Sequence, residues 1–176
     1  MQMILSVRGK TPIVGDNNFV APNATIIGDV ETGKDCSIWF NAVIRGDVNS
    51  IRIGNKVNVQ DGVMIHCTYQ KTTTTIGNNV SIGHNAVIHG CTIHDNVLVG
   101  IGAIIMDGCI VHSNAIIAAG AVVLKNTIVE EGSIYGGVPA QKIKEISPDL
   151  IEHEIERIAD SYLQYMEWYK DMKIEG

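Results

Sequence analysis

An aliphatic residue recurs every six positions through most of this chain. The series runs Val14, Val20, Ile26, Thr32, Ile38, Ile44, then resumes after a three-residue insertion at Ile53, Val59 and Ile65. Beyond the loop 69–75 it restarts at Ile76, Ile82 and Ile88. One hexad is short by a residue, and Ile93, Val99, Ile105, Val111, Ile117, Val123 and Val129 follow. A second series, four residues on, carries small or branched side chains, as at Ala24, Val30, Cys36, Ala42, Val48, Val80, Ala86, Ala103 and Ala121. A repeat this short cannot bury its apolar face alone and must stack on its neighbours. Each hexad reads as a short strand and a turn, with Gly, Asn and Asp supplying the turn chemistry. Three hexads close one triangular coil, and stacked coils bury both series in a continuous core.

Composition agrees with narrow core layers, since aromatic residues make up only 5% of the 176 residues and the filling must come from small and branched side chains. The length allows one domain with an appended element. With 13 Lys+Arg against 19 Asp+Glu and no basic run, nucleic acid and anionic membranes are not expected partners. No stretch has the apolar length of a membrane span, and residues 1–10 lack an export-type cleavage site. Cys36, Cys67, Cys91 and Cys109 show no paired spacing, so free thiols in a reducing cytoplasm are expected.

The pattern changes near the end. Ser147-Pro148-Asp149 is a helix start: a capping hydroxyl, proline at the first helical position and an acid in the first turn. Ile151, Ile155, Ile158, Tyr162, Tyr165 and Tyr169 then recur at spacings of three and four, one stripe of an amphipathic helix. The expected organisation is a coil domain over residues 1–140, then a linker and a helix over 141–176. The helix is expected to pack on one flat face, in this subunit or a neighbour.

The candidate chemistry lies in the histidines. His66 and His89 each follow the aliphatic position of their hexad, three hexads apart, so they share a face on consecutive coils. His84 sits one position later in the preceding hexad and belongs to another face. Three imidazoles are the usual minimum for a zinc-like ion with an open coordination position. A symmetric trimer would bring the His84 face of one subunit against the His66/His89 face of the next. Arg45 and Asp47 would then approach Gln60 and Asp61, an arrangement suited to ion pairing, and Gln60 has a donor and an acceptor to orient a water. His94 and His112 repeat the same register on the third face, but no third nitrogen ligand accompanies them. Cys67 adjoins a candidate ligand and reads as a spectator, and His153 reads as a solvated helix residue.

Hexapeptide repeats of this kind resemble the left-handed parallel β-helix, an all-β triangular prism, here with a C-terminal α-helix packed alongside. The hand is implied by the resemblance, since parallel crossovers are otherwise almost always right-handed. Trp39, Arg45-Gly46-Asp47, Asn58-Val59-Gln60-Asp61, His66, and His84 with His89 together resemble the γ-class carbonic anhydrase family and its bacterial hexapeptide-repeat relatives, including transferase-like and ferripyochelin-binding-like proteins. The resemblance implies His66, His84 and His89 as metal ligands, for Zn2+ or alternatively Fe2+ or Co2+. It implies Gln60 as the water-orienting residue, Asn58 as a polar residue at the site, Tyr135 as an active-site tyrosine, and Arg45, Asp47 and Asp61 as interface ion-pair residues. It implies a homotrimer that hydrates CO2 to bicarbonate through a metal-bound hydroxide. Val48 replaces an acidic residue of the founding members, and the loop after His66 lacks their proton-shuttle carboxylates, which implies slow hydration. An acyltransferase or thioesterase acting on acyl-CoA is the rival enzyme reading, and a noncatalytic metal-binding or assembly protein is the third.

Overall fold

The computed structural model describes residues 3–172. The hexads form a parallel β-helix of about seven turns, the fold class expected, with three walls. The first wall carries strands Met64–His66, Val87–His89, Ile104–Ile105 and Val122–Val123; the second carries Thr74–Ile76, Thr92–Ile93, Ile110–Val111 and Ile128–Val129. Two longer strands, Thr25–Thr32 and Val43–Ile53, run from one of these walls onto the other and join them into a single sheet. The third wall is a separate sheet containing Phe19–Val20, Ser37–Ile38, Asn58–Val59, Ser81–Ile82, Leu98–Val99, Ile116–Ile117 and Ser133–Gly136.

Register between coils records every irregularity of the repeat. Regular coils pair residues 18 apart, as Ile110 with Ile128. The offset widens to 21 across the three-residue insertion, as for Val43 with Met64. It widens to 23 across the loop after His66, as for His66 with His89, and narrows to 17 past the short hexad. Because an odd shift in pairing would turn the core face outward, each irregularity has to be absorbed at a corner rather than within a strand.

Ile26, Ile38, Ile44, Ile65, Ile76, Ile82, Ile88, Ile93, Ile105 and Ile117 are fully buried, and burying each such side chain is worth roughly 1.5–3 kcal/mol. Val48 departs from the expectation of an inward side chain. It is half-buried, and Ile51, paired with Val30, fills the inward position, because the insertion falls between Ile44 and Ile53. Asn79, Asn96 and Asn114 turn one corner with φ of 55°, 57° and 57°. Their amides form a ladder, Asn79 Nδ2 donating to Asn96 Oδ1 at 2.9 Å and Asn96 Nδ2 to Asn114 Oδ1 at 3.3 Å. Asparagine tolerates this left-handed conformation better than most residues.

The segment expected as a linker is itself structured. Gln141–Glu145 pairs antiparallel with Ser133–Gly136 and closes the edge of the third wall. Ser147 then caps the helix as expected, its Oγ accepting from Leu150 N at 3.3 Å. A π-helical turn over Ile151–Glu156 precedes the α-helix Arg157–Trp168. The helix docks on the third wall of its own chain. Tyr162 and Tyr169 meet Trp39 edge-on at centroid distances of 5.4 and 5.2 Å, and Ile155, Ala159 and Met166 are buried. Ala159 and Met166 stand at spacings of three and four from Tyr162 and Tyr169, so ordinary helical periodicity puts them beside the tyrosines. Lys56 ties the coil to the helix through Asp160 at 2.6 Å.

Candidate metal centre

His66 and His89 pair directly across neighbouring strands of the first wall, and the register of Ile65 with Ile88 makes this unavoidable. Their rings are 5.3 Å apart, and His66 Nδ1 lies 3.3 Å from His89 Nε2. Each ring's other nitrogen meets a carboxylate. His66 Nε2 contacts Asp47 Oδ1 at 3.0 Å, and His89 Nδ1 contacts Asp107 Oδ1 at 2.8 Å. Arg45 holds the other oxygen of Asp47 at 2.6 Å.

The carboxylates decide which nitrogen carries the proton. Burial pushes the pKa of Asp47 up, but hydrogen bonds from Arg45 and His66 outweigh it and hold the group below the ordinary carboxylate range. Burial acts likewise on Asp107 and is outweighed by His89, Thr68 and Thr72. An ionised carboxylate only accepts, so the imidazole nitrogen facing it is the N–H. The two ring nitrogens that face no carboxylate, His66 Nδ1 and His89 Nε2, thus face each other across 3.3 Å. With both rings neutral, two lone pairs so placed can share one cation. Nitrogens bound to one tetrahedral zinc at 2.0–2.1 Å would sit about 3.3–3.4 Å apart, so the donor pair fits such an ion. Carboxylates behind ligating imidazoles are also a usual feature of metal sites.

The third histidine is on a different wall. His84 Nδ1 lies 2.9 Å from Asp61 Oδ2, one coil below. Gln60 is buried beside it, accepting from the His84 backbone N–H at 3.2 Å and donating Nε2 to Asn58 Oδ1 at 3.0 Å. Asn58 in turn donates to Ser81 Oγ at 2.7 Å. Each of the three imidazoles thus has a carboxylate from an adjacent coil. Among the described residues of one chain, no group of three or more His, Cys, Asp or Glu could hold a metal ion.

The chain does not bring every candidate together. Arg45 and Asp47 pair with each other, and Asp61 pairs with His84. Tyr135 is 7% exposed and packs in the core cluster, paired with Ile117 two wall strands beyond Leu98–Val99. Cys67 is buried, its thiol pushed up by desolvation, with Thr74 Oγ1 at 3.4 Å. His94 and His112 stack at 5.3 Å with an interplanar angle of 2°. His153 lies on the exposed helix face beside Asp149 at 3.3 Å. Asp107 is the residue that sequence reasoning passes over. It lies 18 residues from His89, one regular coil, so the repeat offset itself points to it.

Beside His84 a groove of about 460 Å³ runs between the third wall and the helix, lined by Gln60, Leu98, Ile101, Ile158 and Tyr162. Burial, and then the charge of Asp61, push the Tyr162 phenol up to about 12, so it stays neutral there.

Comparison with known proteins now places the chain. A family model described as bacterial transferase hexapeptide (six repeats) matches residues 11–46 and 90–125. A Methanocaldococcus jannaschii protein described as a probable carbonic anhydrase is 53% identical over 154 residues, 88% of this chain and 94% of that one. Gamma carbonic anhydrase 2, mitochondrial, of Arabidopsis thaliana is 41% identical over 91% of this chain; the chain spans 59% of that relative's length. The crystal structure of a hexapeptide transferase family protein from Anaplasma phagocytophilum superposes with a TM-score of 0.90 at 34% identity, covering 96% of this chain and 98% of that one. With the repeat, the paired imidazoles and a probable carbonic anhydrase matched over 94% of its own length, the chain belongs to the γ-class carbonic anhydrase family of hexapeptide-repeat proteins.

Proposed function

We propose that the assembled protein hydrates CO2 to bicarbonate at a divalent metal ion held by His66 and His89 of one copy and His84 of a neighbour, in a homotrimer. The observation that carries this reading is the pair of imidazole nitrogens facing each other at 3.3 Å with carboxylates behind them. Relatives named as carbonic anhydrases support it. A divalent ion there would supply Lewis acidity, lowering the pKa of a water to about 7, a value that belongs to carbonic anhydrase as the standard example of this effect. Zn2+ suits three imidazoles, as do Fe2+ and Co2+.

The chain's own residues do the positioning. Arg45 fixes Asp47, and Asp47 fixes the ring of His66. Asp61 does the same for His84. Gln60, anchored through Asn58, keeps one amide hydrogen and one lone pair uncommitted and can hydrogen-bond water or a bicarbonate oxygen at that wall. Residues 68–75 carry no carboxylate, so the proton released by hydration leaves to solvent buffer and turnover rises with buffer concentration. The test is elemental analysis of the anaerobically purified protein alongside CO2 hydration, before and after chelation. A monomer retaining a full complement of metal would overturn the intersubunit assignment.

A second reading rests on the apolar groove beside His84, which could seat an acyl chain with His84 as base. An acetyl-CoA assay separates the two, with no acetyl transfer expected. Full metal occupancy with every assay silent would favour a noncatalytic metal-binding or assembly role. No helix among the described residues is long and apolar enough to cross a membrane. Four buried free cysteines suit a reducing compartment such as the cytoplasm.

A further inference from the structure

Three independent observations meet at Asp107. Its Oδ1 accepts from His89 Nδ1 at 2.8 Å and from Thr72 Oγ1 at 3.1 Å, while its Oδ2 accepts from Thr68 Oγ1 at 3.0 Å. Both threonines belong to the loop that separates the two histidine strands, and that loop is itself pinned. Asn49 Nδ2 donates to the carbonyls of Thr68 at 3.0 Å and Thr72 at 2.6 Å, and Thr72 Oγ1 accepts from Thr68 N at 3.0 Å. The backbone has also been cleared for this knot. A Cβ on Gly90, the residue after His89, would lie 2.2 Å from both Asp107 Oδ1 and Thr72 Oγ1, and its φ of +56° suits glycine.

The hydrogen-bond accounting leaves the carboxylate no freedom. Each threonine has one hydroxyl proton and directs it to Asp107, and Thr72 uses a lone pair for the Thr68 N–H. Both carboxylate oxygens are held, so the group cannot swivel away from His89. Without the threonines, Asp107 could rotate and the His89 ring could turn, and Nε2 would no longer aim at His66.

We propose that loop 67–73 is the positioning element of the metal centre: Thr68 and Thr72 hold Asp107, Asp107 holds the Nδ1–H of His89, and His89 thereby presents Nε2 to a divalent cation. The inference rests on the reading of His66 and His89 as ligands. The loop does not pass protons through a carboxylate of its own; its hydroxyls keep a neighbouring coil's carboxylate still.

The test uses the full-length protein with Thr72→Val, Thr72→Ser and Asp107→Ala. Zn2+ affinity is measured by chelator competition, and the His89 tautomer by 15N NMR of the metal-free protein at about pH 8, above the ordinary imidazole range. Thr72→Val is expected to weaken Zn2+ binding about 10-fold and Asp107→Ala about 100-fold, the span typical of groups that orient ligands. Thr72→Ser, which keeps the hydroxyl, restores binding. Wild-type His89 is expected as the Nδ1–H form, which Asp107→Ala loses. Wild-type affinity in both Thr72→Val and Asp107→Ala, or an Nε2–H form of His89 in the wild type, overturns the proposal. If the wild type takes up no Zn2+, the ligand assignment itself falls, and the tautomer alone then decides whether Asp107 positions His89.

Discussion

The first and second walls each hold two histidines in the same register on neighbouring coils, and they have been put to different ends. On both walls the ring centroids are 5.3 Å apart, because strand spacing fixes that distance. On the first wall the rings are inclined by 60°, and each is held by a carboxylate. On the second they lie flat on one another at 2°, and among the described residues no carboxylate bonds either ring. Proximity therefore comes with the coil on either wall. What sets the first wall apart is the pair of carboxylates, each on one ring nitrogen, which leaves the other two nitrogens facing each other.

The largest expected effect breaks the comparison outright. Replacing His89 with alanine should abolish metal retention and lower CO2 hydration by at least about 100-fold, since a site with one donor from this wall cannot complete a zinc sphere. The His94→Ala/His112→Ala double variant should keep full metal content and full activity. Elemental analysis and a hydration assay on both variants suffice. Metal kept by the first or lost by the second would show that the walls are not distinguished as described.

A smaller effect isolates the carboxylates. Asp47→Ala leaves His66 in place but removes the acceptor behind it and strands Arg45. Metal affinity should fall about 10- to 100-fold, with the metal-free coil intact. Competition against a chelator of known affinity measures the loss, and an unchanged affinity would mean that register alone builds the site.

Much of this is legible in the order of residues alone. The sixfold series locates the core isoleucines, the three irregular offsets and the wall on which each histidine stands. It misplaces Val48 because the insertion moves the inward position to Ile51, and a period cannot say which residues of an insertion turn the corner. Asp107 escapes for a different reason: it neighbours no histidine in the chain, and only the 18-residue coil offset brings it to His89. Closure of the third wall by Gln141–Glu145 leaves no trace, since those side chains are exposed and follow no alternation. Pairwise contacts one coil apart are thus readable from a repeat, whereas the chemistry of a contact has to be looked for deliberately.

The corner beside the second-wall histidines sharpens the contrast in another way. Asn96→Ala puts an ordinary side chain into a left-handed conformation, at a cost of about 1–2 kcal/mol, and breaks the ladder to Asn79 and Asn114. In a chain of this size the melting temperature should drop by about 2–8 °C. Asn96→Gly should lose less, because glycine accepts the backbone angle. Metal affinity should not move in either variant, as befits a wall that contributes to the coil and not to the centre; a loss of metal here would tie the two walls together.

The smallest effect concerns acid. The carboxyls of Asp47 and Asp107 are held below their ordinary range in the folded chain, first against the opposing effect of burial. A depressed folded-state pKa means that the unfolded chain binds the proton more readily, so each group adds stability above its unfolded value of about 3.9. That contribution is lost as pH falls from there through the lower folded value. Both groups are partly exposed, so solvent screening limits each to at most about 1 kcal/mol. The gap in unfolding free energy between the metal-free wild type and metal-free Asp47→Asn should therefore be open at pH 7 and close progressively below about pH 4. Denaturant unfolding at several pH values measures it. A gap that stays constant into acid would mean that the charge of Asp47 orients His66 without itself stabilising the fold.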